Sequence, residues 1–206
     1  MLPGCSYHVF NHANGKENLF SEPANYQFFL ARLSLHVLPV ANICAYCLMP
    51  NHFHLLVQIK SEADLLHYFR KTGSEENSRP ASEIADEQFL VKKISKSFSN
   101  LFNSYTQAFN KMYGRKGSLF MQNMKREEIK DEASFCKVVH YIHANPVHHG
   151  FVKSISGWKY SSYQLFLSTS PTKLNRDIVI KAFGSLDGFI AYHQQPIDLK
   201  NKWIDY

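Results

Sequence analysis

"MPNHFHLLVQ", residues 49–58, is the stretch whose reading decides the fold. Side chains of an extended strand alternate between faces, so His52 and His54 lie side by side on one face while Phe53, Leu55 and Val57 share the other. The apolar face calls for a packing partner, and the paired imidazoles call for a chemical explanation. Just upstream, "ANICAYCLM" (41–49) reads as a second strand, with Pro50-Asn51 as the tight connection, so the two strands form a hairpin.

Working outward, "CSYHVFNHAN" (5–14) alternates as a strand and runs into the turn signal Asn14-Gly15. "EPANYQFFLARLSLHVL" (22–38) has helical spacing and stops at Pro39, and "SEADLLHYFRK" (61–71) predicts a short helix. The polar, acidic stretch at about 73–88 lacks apolar periodicity and reads as a mobile insertion. A long helix follows from about Glu87 to Tyr113, ended by Gly114 and Gly117. "SLFMQNMKREEI" (118–129) reads as one or two short strands. The next helix starts at Asp131 as N-cap and runs to an Asn145-Pro146 stop, and "GWKYSSYQLF" (157–166) and "RDIVIKAFGSLDGFIAYHQ" (176–194) predict C-terminal helical additions. The pattern fits an α+β fold, an antiparallel sheet with helices packed on one or both faces. It divides into a domain over 1–169 and a helical extension over 170–206, with no internal repeat.

With 206 residues and 45% hydrophobic composition, the chain can bury a sizeable core. No apolar run reaches membrane-spanning length, and "MLPGCSYHVF" lacks the basic start and apolar centre of a signal peptide, which predicts a cytoplasmic protein with no membrane partner. Four cysteines are too few for a disulfide scaffold. Cys44 and Cys47 form a CxxC, but strand positions three apart point to opposite faces, which argues against a metal or redox pair.

The net charge of +6 is unevenly spread: between Val91 and Lys130 nine Lys and Arg meet two acids, so this window carries +7 and the remainder about −1. Its aromatic residues, Phe98, Phe102, Tyr105, Phe109, Tyr113 and Phe120, allow two readings. Cations for phosphates and rings for bases would make a nucleic-acid surface. An amphipathic helix with buried rings and solvated lysines is the other.

Imidazole is the commonest protein donor to transition metals, so His52 and His54 are a reasonable half of a metal site. In "SFCKVVHYIHANPVHHG" (134–150), Phe135, Val138, Val139 and Ile142 make one apolar stripe of a helix, with Tyr141 and Asn145 beside it, one turn apart. That geometry permits Asn145 to complete a metal site while Tyr141 points at a bound phosphate; a boundary tyrosine and a helix-ending asparagine would look the same.

Together, "MPNHFHLLVQ", "YIHANPVHHG" and "GWKYSSY" resemble the single-tyrosine HUH transposases, specifically the REP-associated tyrosine transposases, over about Tyr7 to Leu165. The His, apolar, His signature is here His52-Phe53-His54. The resemblance implies a ferredoxin-like core, the His pair on a central strand, a nucleophile at Tyr141 and a third metal ligand at Asn145, with Mg²⁺ or Mn²⁺ as the cation. It implies cleavage and rejoining of hairpin-bearing single-stranded DNA, with repetitive extragenic palindrome-like hairpins, through a 5′-phosphotyrosine, by a monomer or a homodimer. Tyr105 and Tyr113 are competing tyrosines better suited to packing or stacking. DNA contacts are expected at Lys92, Lys93, Lys96, Arg115, Lys116, Lys125 and Arg126. A non-catalytic descendant that binds structured nucleic acid is the alternative.

Overall fold

The computed structural model describes residues 1–72 and 87–196. The elements are β1 (Ser6–His12), α1 (Pro23–His36), β2 (Ala41–Leu48), β3 (His52–Ile59), α2 (Glu62–Thr72), α3 (Glu87–Met112), β4 (Lys125–Ile129), α4 (Glu132–His148), α5 (Tyr163–Leu167), α6 (Arg176–Ala182) and α7 (Leu186–His193), with a short 3-10 turn at Ile155–Gly157. The expected insertion at about 73–88 lies outside the described residues, except that Glu87 and Gln88 open α3. The end of the expected C-terminal extension, 197–206, also lies outside them.

The strands form one sheet in the order β2-β3-β1-β4, and every neighbouring pair is antiparallel. This is the ferredoxin-like, split β-α-β order, so the expected α+β architecture is what the chain adopts. Register then distributes the side chains. His12 stands opposite His52 and Phe10 opposite His54, so β1 contributes His8, Phe10 and His12 to the histidine face of β3.

Each sheet face has its own core. The face of Phe53, Leu55 and Val57 packs on α1 through Phe29 and Leu33, and on α3 through Leu90, Ile94, Phe98, Leu101, Tyr105 and Phe109. On the histidine face, Leu56 and the β2 residues Cys44, Ala45 and Cys47 meet Val138, Val139 and Ile142 of α4, backed by Phe166, Val179 and Phe189 of α5, α6 and α7. The central strands are therefore covered on both sides, and α4 is held against the imidazoles rather than left on a solvated face.

Two sequence expectations change. First, α4 does not stop at Asn145-Pro146 but continues to His148. Proline in the last turn forfeits one intrahelical bond, and the neighbouring ones survive, with His149 N–H donating to the Asn145 carbonyl at 3.0 Å and Phe151 N–H to the Pro146 carbonyl at 2.9 Å. Second, a register shift between Ile43 and Ala45 marks a bulge in β2 that brings Cys44 and Cys47 into the same core. The opposite-face argument fails there. Burial raises the Cys44 thiol to about 12 and moves Cys47 in the same direction, so both are protonated. Of the two readings left open for the basic window, Phe98, Tyr105, Phe109 and Phe120 follow the buried one, which removes them as a stacking surface.

Candidate metal and nucleophile site

The site forms where the β2–β3 hairpin turns into β3 and where α4 crosses above it. Pairing with β1 fixes the direction of His52 and His54, while an Asp131 side chain accepting Ser134 N–H at 2.7 Å sets where α4 starts and hence its phase. That phase turns Tyr141 and Asn145 toward the sheet. The Asn145 amide lies between the imidazoles, Oδ1 at 2.9 Å from His52 Nε2 and Nδ2 at 3.3 Å from His54 Nε2. One turn earlier, the Tyr141 ring meets His54 edge-on, ring centres 5.4 Å apart. All four side chains are buried and come from one chain.

A further residue, His8 of β1, supports this group. Its Nε2 lies 3.0 Å from His54 Nδ1, and its ring meets Tyr141 edge-on at 6.0 Å. Burial lowers the His8 pKa to about 3. His54 is pushed well below its ordinary value by burial, reinforced by the neighbouring His8 and His52. Both rings are therefore neutral at pH 7, and one carries the proton they share. At the open side, the His12 ring stacks on His52 at 4.6 Å and exposed His149 meets its edge at 5.0 Å. His8 and His12 escaped the sequence reading, although the alternation of "SYHVFNH" places both on one strand face.

The donor set suits a divalent cation. Asn51 Oδ1 lies 2.9 Å from His52 Nδ1, where it can accept a hydrogen bond from that nitrogen. In the tautomer protonated at Nδ1, the His52 Nε2 lone pair faces Asn145 Oδ1 across 2.9 Å, and a cation between them would be held by both. The separation also matches the roughly 3 Å edge between neighbouring ligands around a metal at about 2.1 Å. Two imidazoles and an amide oxygen favour Mn²⁺ or Zn²⁺ over Mg²⁺. Among the described residues, no group of three or more His, Cys, Asp or Glu could hold a metal ion, so a cation bound here would need the Asn145 amide.

The seven basic residues singled out in the sequence are not gathered at this site. Lys92, Lys93 and Lys96 lie on α3, which packs on the opposite sheet face. Lys93 rests over the Phe89 ring at 5.3 Å. Arg115, whose side chain is only 17% exposed, is paired with Glu17 and donates to Asn110 Oδ1 at 2.6 Å and the Ser118 carbonyl at 3.1 Å, which makes it a fixture of the turn after α3. Lys116 is exposed in that turn. Lys125, opposite Phe10 in register, shares the histidine face, whereas Arg126 lines a groove of about 590 Å³ against α3.

Two α4 histidines, His143 and His140, are buried against α7. His143 Nδ1 lies 2.9 Å from His193 Nε2, and His143 Nε2 lies 2.7 Å from Ser162 Oγ. His193 Nδ1 donates to the Phe189 carbonyl at 2.7 Å, and Ser162 Oγ accepts Tyr46 N–H at 2.9 Å. This buried relay links α7, α4 and β2 and fixes the helix that carries Tyr141 and Asn145. His140 is buried beside His193.

No family model matches the chain. A curated relative from Haemophilus influenzae, named "Putative REP-associated tyrosine transposase", is 25% identical over 119 residues, which cover 58% of this chain and 57% of the relative. The match thus spans a little over half the length of each protein. A solved structure described as a REP-associated tyrosine transposase bound to a REP hairpin superimposes with a TM-score of 0.57, covering 100% of this chain and 90% of the other, at 17% identity. The fold is shared, and the family resemblance read from the His52-Phe53-His54 and α4 motifs is borne out.

Proposed function

We propose that the chain is a metal-dependent, single-tyrosine transposase that cleaves and rejoins single-stranded DNA at hairpin-associated sites. The observation that carries this reading is the placement of Tyr141 beside His54 while Asn145, one turn on, bridges His52 and His54. The resemblance to REP-associated tyrosine transposases supplies the substrate class.

His52, His54 and Asn145 would hold the cation, Mg²⁺ or Mn²⁺ by family resemblance, which supplies Lewis-acid polarisation of a phosphate oxygen when bound. His8 keeps His54 Nε2 directed at Asn145 by occupying Nδ1. Tyr141 Oη attacks phosphorus, the bond to the 3′ oxygen breaks, and a 5′-phosphotyrosine and a free 3′-hydroxyl result. A free phenol titrates near 10, so its proton must leave as the bond forms. Attack by another 3′-hydroxyl returns the phenol and joins new ends. Each step exchanges one phosphodiester for another, so no nucleotide triphosphate is required.

Incubating the protein with labelled single strands that carry hairpins from the flanks of its own gene, with Mn²⁺ or Mg²⁺, tests this on denaturing gels. An adduct that disappears in Tyr141→Phe supports the proposal. Salt-sensitive hairpin binding without adduct or cleavage on any such strand favours a non-catalytic DNA-binding protein of the same descent.

A further inference from the structure

Beyond α4 the chain stays close to the site. His149 contacts His52, Gly150 reverses the backbone at φ +71°, and Phe151 follows with 49% of its surface exposed. The Phe151 ring lies 5.6 Å from Trp158, tilted by 57°. Trp158 is fixed to the hairpin that carries the metal-binding strand: its Nε1 donates to the Leu48 carbonyl at 3.0 Å, and Leu48 N–H donates to the Tyr160 carbonyl at 3.0 Å. Met49 N–H donates to the His52 carbonyl at 2.8 Å, closing that hairpin. The aromatic pair is therefore at the same end of the sheet as His52.

The segment that carries it is charged with one sign. From Ala133 to Asn175 the sequence contains no Asp or Glu and four lysines, at 137, 153, 159 and 173. Lys153 and Lys159 are exposed and follow Phe151 and Trp158 closely in sequence, with Lys159 Nζ 4.8 Å from the Tyr160 ring centre. A single exposed Phe would mean little. An exposed ring beside a second anchored ring, on a segment that carries lysines and no acids and follows directly on the helix of Tyr141 and Asn145, matches the chemistry of unpaired nucleotides, which present flat π faces and regularly spaced phosphates. Paired bases in a duplex cannot offer those faces.

We propose that Phe151 and Trp158, together with Lys153 and Lys159, form a stacking rim that holds the unpaired nucleotides adjoining the phosphate delivered to Tyr141. This rests on the reading of the chain as a single-strand DNA enzyme, and it places strand positioning on the Phe151–Lys159 rim rather than on the α3 block across the sheet. Stacking of this kind is tolerant of base identity, so the rim orients the strand and leaves sequence choice to other contacts.

The chain has two tryptophans, so a Trp203→Phe background leaves Trp158 as its sole indole. Titrating that full-length protein with oligothymidylate should quench Trp158 fluorescence. Phe151→Ala, at an exposed position that leaves the melting temperature unchanged, should weaken oligothymidylate binding roughly tenfold or more. Lys153→Gln with Lys159→Gln should flatten the dependence of log affinity on log salt by about 0.7 for each phosphate that is no longer neutralised. Unquenched Trp158 with unchanged affinity in Phe151→Ala overturns the proposal, as does a response to phosphatidylserine vesicles and not to oligothymidylate. Tyr141 adduct formation, assayed in parallel on hairpin DNA, separates the outcomes: an adduct without rim dependence rejects the rim alone, and absence of any adduct rejects the enzymatic reading.

Discussion

The imidazoles of His8 and His54 meet Nε2 to Nδ1 at 3.0 Å inside the sheet, joining β1 to the strand that carries His52 and His54. A ligand imidazole is oriented by the partner of its other nitrogen, and removing such a partner typically costs 10- to 100-fold in metal affinity. His8→Leu should therefore weaken Mn²⁺ binding by about that factor in calorimetric titration. His8→Gln, which keeps an acceptor, should recover part of the loss. Equal Mn²⁺ affinity in wild type and His8→Leu would remove His8 from the site.

Asn145 supplies the amide of the proposed ligand set. Asn145→Asp places a carboxylate between His52 and His54 and should tighten divalent binding, while Asn145→Ala should weaken it. Opposite signs in the two titrations are the expected signature. A common loss of similar size would mean that Asn145 serves only to hold α4 in place.

Tyr105 and Tyr141 separate folding from chemistry. Tyr105 donates its hydroxyl to the Leu19 carbonyl within the core of the opposite sheet face, and burial raises its pKa far above the ordinary phenol range. Tyr105→Phe should lower stability by ~1 kcal/mol and leave adduct formation in place. Tyr141→Phe should do the reverse, and denaturant melts beside gel assays read both.

The buried relay predicts acid lability. Burial depresses His193 to about 3 and moves His143 in the same direction, from an unfolded value near 6.5. Between those limits the unfolded chain binds more protons than the native one, so stability is fully present above about pH 6.5 and falls as pH drops toward 3. Each such histidine contributes a slope of up to ~1.4 kcal/mol per pH unit. His193→Gln should flatten the dependence of melting temperature on pH through that window; an unchanged slope would show that other groups set it.

The alternation of residues 49–58 located the hairpin and the shared face of His52 and His54, because a period of two leaves a strand little freedom. The apolar stripe of 134–150 likewise located Tyr141 and Asn145 over the sheet, and family resemblance assigned their roles. Contacts that depend on strand pairing were hidden, since nothing local announces that Ser6–His12 lies beside β3 and brings His8 to His54. The Cys44 bulge was invisible for the same reason: it exists only as a mismatch between two strands. The basic block was plain in the sequence, but its amphipathic period did not reveal that α3 covers the sheet face opposite the histidines. Pro146 misled because a proline in a last turn costs one hydrogen bond, too little to end a helix that Asn145 and Pro146 cap with their own carbonyls.

The central claim is that the Tyr141 hydroxyl becomes covalently joined to DNA. Protein incubated with Mn²⁺ and hairpin-bearing single strands from the flanks of its own gene, digested with nuclease and protease, can be mapped by mass spectrometry. The account predicts a nucleotide phosphate on the peptide containing Tyr141 and a matching free 3′-hydroxyl on the released strand. A nucleotide phosphate on any other residue, or cleavage that persists in Tyr141→Phe, would contradict it.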